Sequence, residues 1–99
     1  MSEAENVAIN PADIVKLARG VRLREDEVRG RTVLLAPERA MALDDIAVLI
    51  VKALDGVRSL DVICDDFAVR FAAPRDQIAG DVLAFVRELA NRRMIEIVT

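Results

Sequence analysis

The sequence contains no histidine, tryptophan or tyrosine, and only one cysteine, three phenylalanines, three prolines and four glycines. Each shortage removes a class of function. Without imidazole and with a single thiol, no transition-metal centre of His and Cys ligands can form. An iron–sulfur cluster held by the chain fails for the same want of thiolates, and Ser-His and Cys-His nucleophile systems are excluded with them. Cys64 has no disulfide partner, which points to a reducing, cytoplasmic compartment. Base-stacking platforms for single-stranded nucleic acid need exposed aromatics, of which this chain has almost none. The longest apolar run, Ile46 to Val51, is six residues, against roughly 18 for a bilayer span. The acidic start, Met1-Ser2-Glu3-Ala4-Glu5, has no cationic region ahead of an apolar one, so no export signal is expected.

What remains is a chain of 99 residues, 54% hydrophobic and 31% charged, enough for one domain and one core. The net charge of −3 is unevenly spread. Arg19 to Arg39 holds six Arg against four acids, Asp44 to Asp66 holds six Asp against Lys52 and Arg58, and Arg70 to Arg93 is again net basic. A nucleic-acid binder concentrates its basic residues on one face; here the arginines are scattered, as on solvated faces of mixed sign.

Residues 1–18 are polar, acidic and interrupted by Asn10-Pro11, and read as a flexible N-terminal tail or linker, with at most a turn of helix from Asp13 to Ala18. Val21 to Arg24 alternates with strand period two, and Thr32 to Ala36 gives a second strand across a charged turn holding Gly30. Pro37-Glu38-Arg39 forms a tight turn into a short third strand, Ala40 to Leu43. Asp44 is a favoured helix N-cap, with Leu43 and Val48 placed as a hydrophobic staple. The helix that follows, Ile46 to Leu54, is apolar nearly all round and is expected to be central and buried, ending at Asp55-Gly56. Ser59 caps a second helix, Leu60 to about Phe71, with Leu60, Ile63, Cys64, Phe67 and Phe71 on one core stripe. Cys64 in that stripe reads as a small core residue, and Val62 and Val69 as either a minor contact patch or isolated exposed valines. Pro74 stands as the first residue of a third helix reaching about Arg93. Its apolar positions span an arc of about 160°, wider than packing on a core requires. The excess edge, Leu83, Ala90 and part of Val86, either covers the sheet or lines a groove. Met94 to Val98 closes the chain as a short strand or extended tail. The expected fold is α+β and winged helix-turn-helix-like, a three-stranded antiparallel sheet followed by three helices, occupying residues 19–99.

At this point the chain resembles the PqqD family, pyrroloquinoline quinone (PQQ) biosynthesis protein D. The stretches that carry the resemblance are Gly20 to Asp26, Val33-Leu34-Leu35-Ala36-Pro37-Glu38-Arg39, Leu43, Ala47, Ile50 and Asp55-Gly56. It continues through Ser59, Ile63, Phe71, Ala73-Pro74, Ile78, Asp81-Val82-Leu83 and Glu88-Leu89-Ala90, nearly the whole domain. Departures are Ser59 where Thr is frequent, Phe71 where Tyr is frequent, and Arg93 near a Gly position, which questions a left-handed helix end there. The resemblance implies a peptide chaperone that does no chemistry and needs no cofactor. It would bind the precursor peptide PqqA and present it to the radical S-adenosylmethionine enzyme PqqE. Some members are fused to the final-step enzyme PqqC, which would make the N-terminal segment an interdomain linker.

The residues are compatible with peptide capture. A sheet edge carries unpaired N–H and C=O groups to which an extended peptide can add a strand. Ala40, Met41, Ala42 and Leu43 form the candidate edge, and Leu83, Val86, Arg87 and Ala90 the helical wall of the groove. Met41 offers an adaptable contact, and Arg87 and Arg39 could pair with carboxylates of an acidic peptide. Two other readings compete. One is a winged-helix DNA-binding regulator using Arg75, Arg87, Arg92 and Arg93. The other is an enzyme using the carboxylate pairs Asp44-Asp45 or Asp65-Asp66, which adjacent helical positions point apart. A monomer and a homodimer are both open.

Overall fold

The computed structural model describes residues 8–98, folded as two antiparallel three-stranded sheets and three helices. The strands are β1 (Ile14–Leu17), β2 (Arg22–Asp26), β3 (Arg31–Ala36), β4 (Arg39–Leu43), β5 (Asp55–Ser59) and β6 (Ile95–Val98). The helices are α1 (Asp45–Ala53), α2 (Leu60–Arg70) and α3 (Arg75–Asn91). One sheet is the local meander β2-β3-β4, which forms the wing; the other gathers distant segments in the order β5-β1-β6.

The wing sheet and the helices follow the sequence reading, and the second sheet corrects it. Ile14–Leu17 is neither tail nor helix: it is the central strand between β5 and β6, in full register with β6 from Ile14↔Val98 to Leu17↔Ile95. Val15 is fully buried there, and Ile9 upstream is 4% exposed. The apolar residues Ile14, Val15 and Leu17 find partners about forty and eighty positions away, which no local pattern reports. The first seven residues of the expected tail lie outside the described residues. Asp55-Gly56 does end α1, but it also opens β5. Gly56 there has φ +74°, beside an irregularity in the β1–β5 register, and a Cβ would stand 3.3 Å from the Lys16 Cβ.

Local capping follows the side chains. The Asp44 carboxylate accepts from the Ala47 N–H at 2.8 Å and the Ser59 hydroxyl from the Val62 N–H at 3.3 Å. Pro74 is the N-cap of α3 rather than its first residue, with no side-chain cap bond. Helices α2 and α3 both end in the same doubly bonded C-terminal motif. Ala73 and Ala72 N–H groups return to Ala68 and Val69, and Met94 and Arg93 N–H groups return to Leu89 and Ala90. The left-handed residue is Ala72 (φ +48°) in the first and Arg93 (φ +61°) in the second. The left-handed helix end therefore persists at Arg93 without glycine, held by burial of Leu89 and Met94 on either side.

One core unites both sheets and all three helices: Val15, Leu34, Leu43, Ile50, Val51, Leu60, Ile63, Phe67, Val82, Val86, Leu89 and Met94 belong to a single buried cluster. Cys64 lies in it, and burial pushes its thiol pKa up. Two helix expectations need correction. Helix α1 is not buried all round, since Ile46 is 53% exposed. Phe71 is the C-cap of α2 and 41% exposed at the end of the stripe; its ring packs edge-on against that of Phe67 at 5.6 Å, with the Arg70 guanidinium 5.6 Å from it and 5.5 Å from Phe67. Val62 and Val69 are exposed as expected.

Candidate functional site

The wing sheet has two outer strands, β2 and β4, and their chemistry differs. β2 is Arg-Leu-Arg-Glu-Asp, a charged edge of the kind that resists further pairing. β4 is Arg-Ala-Met-Ala-Leu, whose exposed positions after Arg39 carry the small side chains of Ala40 and Ala42.

The register fixes which backbone groups of β4 face outward. β3 and β4 are joined by the two residues Pro37 and Glu38, and Ala36↔Arg39 closes the ladder. A two-residue loop allows that closing pair only as a mutually hydrogen-bonded one, after which bonded and non-bonded pairs alternate. Leu34↔Met41 and Thr32↔Leu43 are then bonded, while Leu35↔Ala40 and Val33↔Ala42 are not. The N–H and C=O groups of Ala40 and Ala42 point away from β3, and no partner holds them among the described residues. Two donors and two acceptors are thus presented along one line, two residues apart, roughly 6.8 Å.

Side chains alternate across the same strand. Met41 and Leu43 share the face of fully buried Leu34; Ala40 and Ala42 are exposed on the other. Met41 is half-buried and packs against the core, whereas Leu43 is 7% exposed and part of it. On α3, Val82, Val86 and Leu89 form the buried line, and Leu83 and Ala90 are half-buried beside it. Val86 is 0% exposed, so it is a core residue beneath the helical wall and not part of its surface, a correction to the sequence reading. Arg39 and Arg87 are exposed and form no ion pair among the described residues. The sequence-derived residues therefore separate into an accessible set (Arg39, Ala40, Met41, Ala42, Leu83, Arg87, Ala90) and a buried pair (Leu43, Val86). β4 packs on α1, and α3 on α2 and β6; the buried cluster joins the two sides. A cleft of about 360 Å³ lies elsewhere, at the β2–β3 hairpin end among Glu25, Asp26, Glu27, Gly30, Arg31 and Thr32.

The competing readings lose their residues to internal partners. The Arg75 guanidinium at the start of α3 is held by Asp65 at 2.6 Å and Asp61 at 2.9 Å, and Arg92 by Glu88 at 2.9 Å. These contacts occupy two of the four arginines a DNA-reading helix would use. Asp44 is spent on its cap, Asp65 on Arg75, and Asp66 on Arg70 at 3.4 Å. No helix among the described residues is long and apolar enough to cross a membrane.

A vacant small-residue strand edge on a winged α+β body defines a small recognition module. The chain belongs to the PqqD family: residues 31–95 match the family model for coenzyme PQQ synthesis protein D (PqqD). It is 65% identical over 95 residues to the PqqA binding protein of Rhizobium meliloti, covering 96% of this chain and 97% of that one. It is also similar to the bifunctional coenzyme PQQ synthesis protein C/D of Methylorubrum extorquens, 42% identical over 93 residues. That match covers 94% of this chain and 25% of the fusion. The solution NMR structure of the PqqD truncation of Methylobacterium extorquens PqqCD superimposes with a TM-score of 0.79 at 40% identity, covering 97% of this chain and 99% of that one. That truncation is described as a functional, stand-alone recognition element for ribosomally synthesized and post-translationally modified peptides.

Proposed function

We infer that this chain binds the precursor peptide PqqA by strand addition to β4, beside α3, and presents it to the radical enzyme PqqE in the cytoplasm. The observation that carries the binding mode is the pair of outward backbone sets at Ala40 and Ala42. An extended segment laid along them gains up to four main-chain hydrogen bonds without demanding particular side chains. Leu83, Ala90 and Met41 supply apolar contact at the flank, and Arg39 and Arg87 supply charge for carboxylates. The relative named PqqA binding protein and the stand-alone recognition element support the choice of peptide. The role is to hold and present; the chemistry belongs to the enzyme. The C/D fusion in a relative supports work alongside PqqC.

Titration of the isotopically labelled chain with synthetic PqqA tests this. Amide shifts are expected at residues 40–43 and 83–90. Hydrogen exchange should slow at Ala40 and Ala42, whose N–H groups gain partners, and change little at Met41, already bonded to Leu34. Shifts confined to residues 1–18, or equal protection of Ala40, Met41 and Ala42, would reject strand addition at β4.

A further inference from the structure

We propose that the outer face of the wing sheet docks a carboxylate-bearing, apolar-tipped patch of the peptide-modifying enzyme; this rests on the strand-addition reading above. The register places Arg22, Leu35 and Ala40 in one cross-strand row and Arg24, Val33 and Ala42 in the next. By the period-two alternation these rows face away from buried Leu34. Val33 and Leu35 are half-buried but stand outside the core cluster and outside the apolar shell packed on it. They form an apolar strip on a face that the described residues leave unpartnered.

The charge on that face is also unpartnered. Arg22 and Arg24 are two apart on β2, whereas Arg31 on β3 stands directly opposite Asp26. Neither Arg22 nor Arg24 forms an ion pair among the described residues. The acid on the same face, Asp26, faces the Arg29 guanidinium at 4.0 Å. Acids outnumber bases 17 to 14 in this chain, and Arg58, Arg70, Arg75 and Arg92 each have a carboxylate. Two neighbouring guanidinium groups, Arg22 and Arg24, beside half-buried aliphatic side chains suit an external carboxylate surface with an apolar centre.

The position of the face selects the enzyme over the peptide. A peptide strand seated on β4 lies about 4.8 Å from β4 and roughly 14 Å from β2. It lies alongside the alanine rows and leaves the arginines to a second body. Alternate side chains of the peptide would extend this face by one strand. A protein seated on it therefore touches the module and its cargo together, and it binds the loaded module more tightly than the empty one.

The test compares the wild-type chain with R22E/R24E and the milder R22Q/R24Q. Affinity for PqqE is measured by calorimetry with and without PqqA, and PqqA binding is followed in the same variants by the Ala40 and Ala42 amide shifts. Charge reversal is expected to weaken enzyme binding about tenfold or more, the glutamine pair less, with the PqqA shifts unchanged. Enzyme affinity for wild type should rise when PqqA is present. Unchanged enzyme affinity in R22E/R24E overturns the proposal, as does equal affinity for loaded and empty module. Steeply salt-dependent binding of a DNA duplex, lost in R22E/R24E, would assign the face to nucleic acid instead. Absence of PqqA shifts in the wild-type chain would overturn the strand-addition reading, and this proposal with it.

Discussion

Proline at position 42 separates the two roles of β4. The Ala42 N–H faces the free edge and makes no bond to β3, so replacing it costs no ladder bond. Edge strands accept proline when the missing N–H faces outward. Ala42→Pro should therefore fold with a stability within about 1 kcal/mol of wild type. Toward the peptide the substitution removes a donor and leaves one peptide carbonyl without its partner. A lost hydrogen bond of this kind is worth about 1–2 kcal/mol, or about 5- to 30-fold in Kd. Met41→Pro is the contrasting variant. The Met41 N–H bonds to Leu34 in the ladder, and its loss also strands the Leu34 carbonyl in a fully buried residue, so about 2 kcal/mol or more of stability should go.

Calorimetric titration with synthetic PqqA reads the first effect and urea unfolding followed by circular dichroism the second. The refuting results are separate. If Ala42→Pro binds PqqA as wild type does, the peptide does not add to β4. If Ala42→Pro is as unstable as Met41→Pro, the alternation derived from the Ala36↔Arg39 closing pair is wrong.

Other variants probe the flank and the frame. Leu83→Asp puts a carboxylate at the half-buried rim of α3 and should weaken PqqA binding, whereas Arg75→Ala, which breaks the clamp on Asp61 and Asp65, should lower the melting temperature slightly and leave the peptide Kd unchanged; equal effects on Kd would move the groove elsewhere. Arg93→Gly relieves the left-handed residue at the end of α3. That strain is about 1–2 kcal/mol, partly offset by the freedom glycine gains when unfolded, so a net stabilisation of roughly 0.5–1 kcal/mol in urea unfolding is expected. The Asp55 carboxyl is held at about 2, below the usual 3.8, because its ionised form accepts from the backbone N–H groups of Arg58 and Val57 and from the Arg58 side chain. A lowered folded-state pKa stabilises above the unfolded value and is lost as pH falls; the melting-temperature advantage of wild type over Asp55→Asn should thus be constant above about pH 4 and shrink between about 4 and 2, and an advantage that persisted unchanged down to pH 2 would contradict this.

The parts of the fold written in local signals were legible. Asp44 and Ser59 each stand three residues before the N–H they cap, and the wing strands alternate around turns that contain Gly30 or Pro37. β1 and β5 were not. Asp55-Gly56 reads as a helix stop and Ser59 as the cap of the next helix, and the stretch is a strand because Ile14–Leu17 lies beside it. The stripe of α2 does reach Phe71, whose ring meets that of Phe67, but spacing alone does not show that a side chain at the C-cap stays 41% exposed. At Arg93 the absence of glycine argued against a left-handed residue, but burial of Leu89 and Met94 decided the conformation.

The candidate site shows the same division. An arc on α3 wider than its packing requires signalled an apolar edge at Leu83 and Ala90; both are half-buried and pack against the core cluster. The arc could not say which residue sat at its centre, so Val86 was counted with the rim although it is core. Direction within an arc depends on where the neighbouring elements stand, and here those neighbours are α2 and β6, the latter coming from the far end of the chain. The edge strand fared better, since the length of the Pro37-Glu38 loop sets the alternation of its ladder bonds. The same alternation that turns the Ala40 and Ala42 backbone outward puts their side chains opposite the Met41 face. A partner strand can therefore pair along an edge whose outer face carries only two methyl groups, while Met41 and Leu43 keep β4 anchored to the core. Separating the binding groups from the anchoring groups by one residue lets a 99-residue chain leave an edge open at little cost to its core.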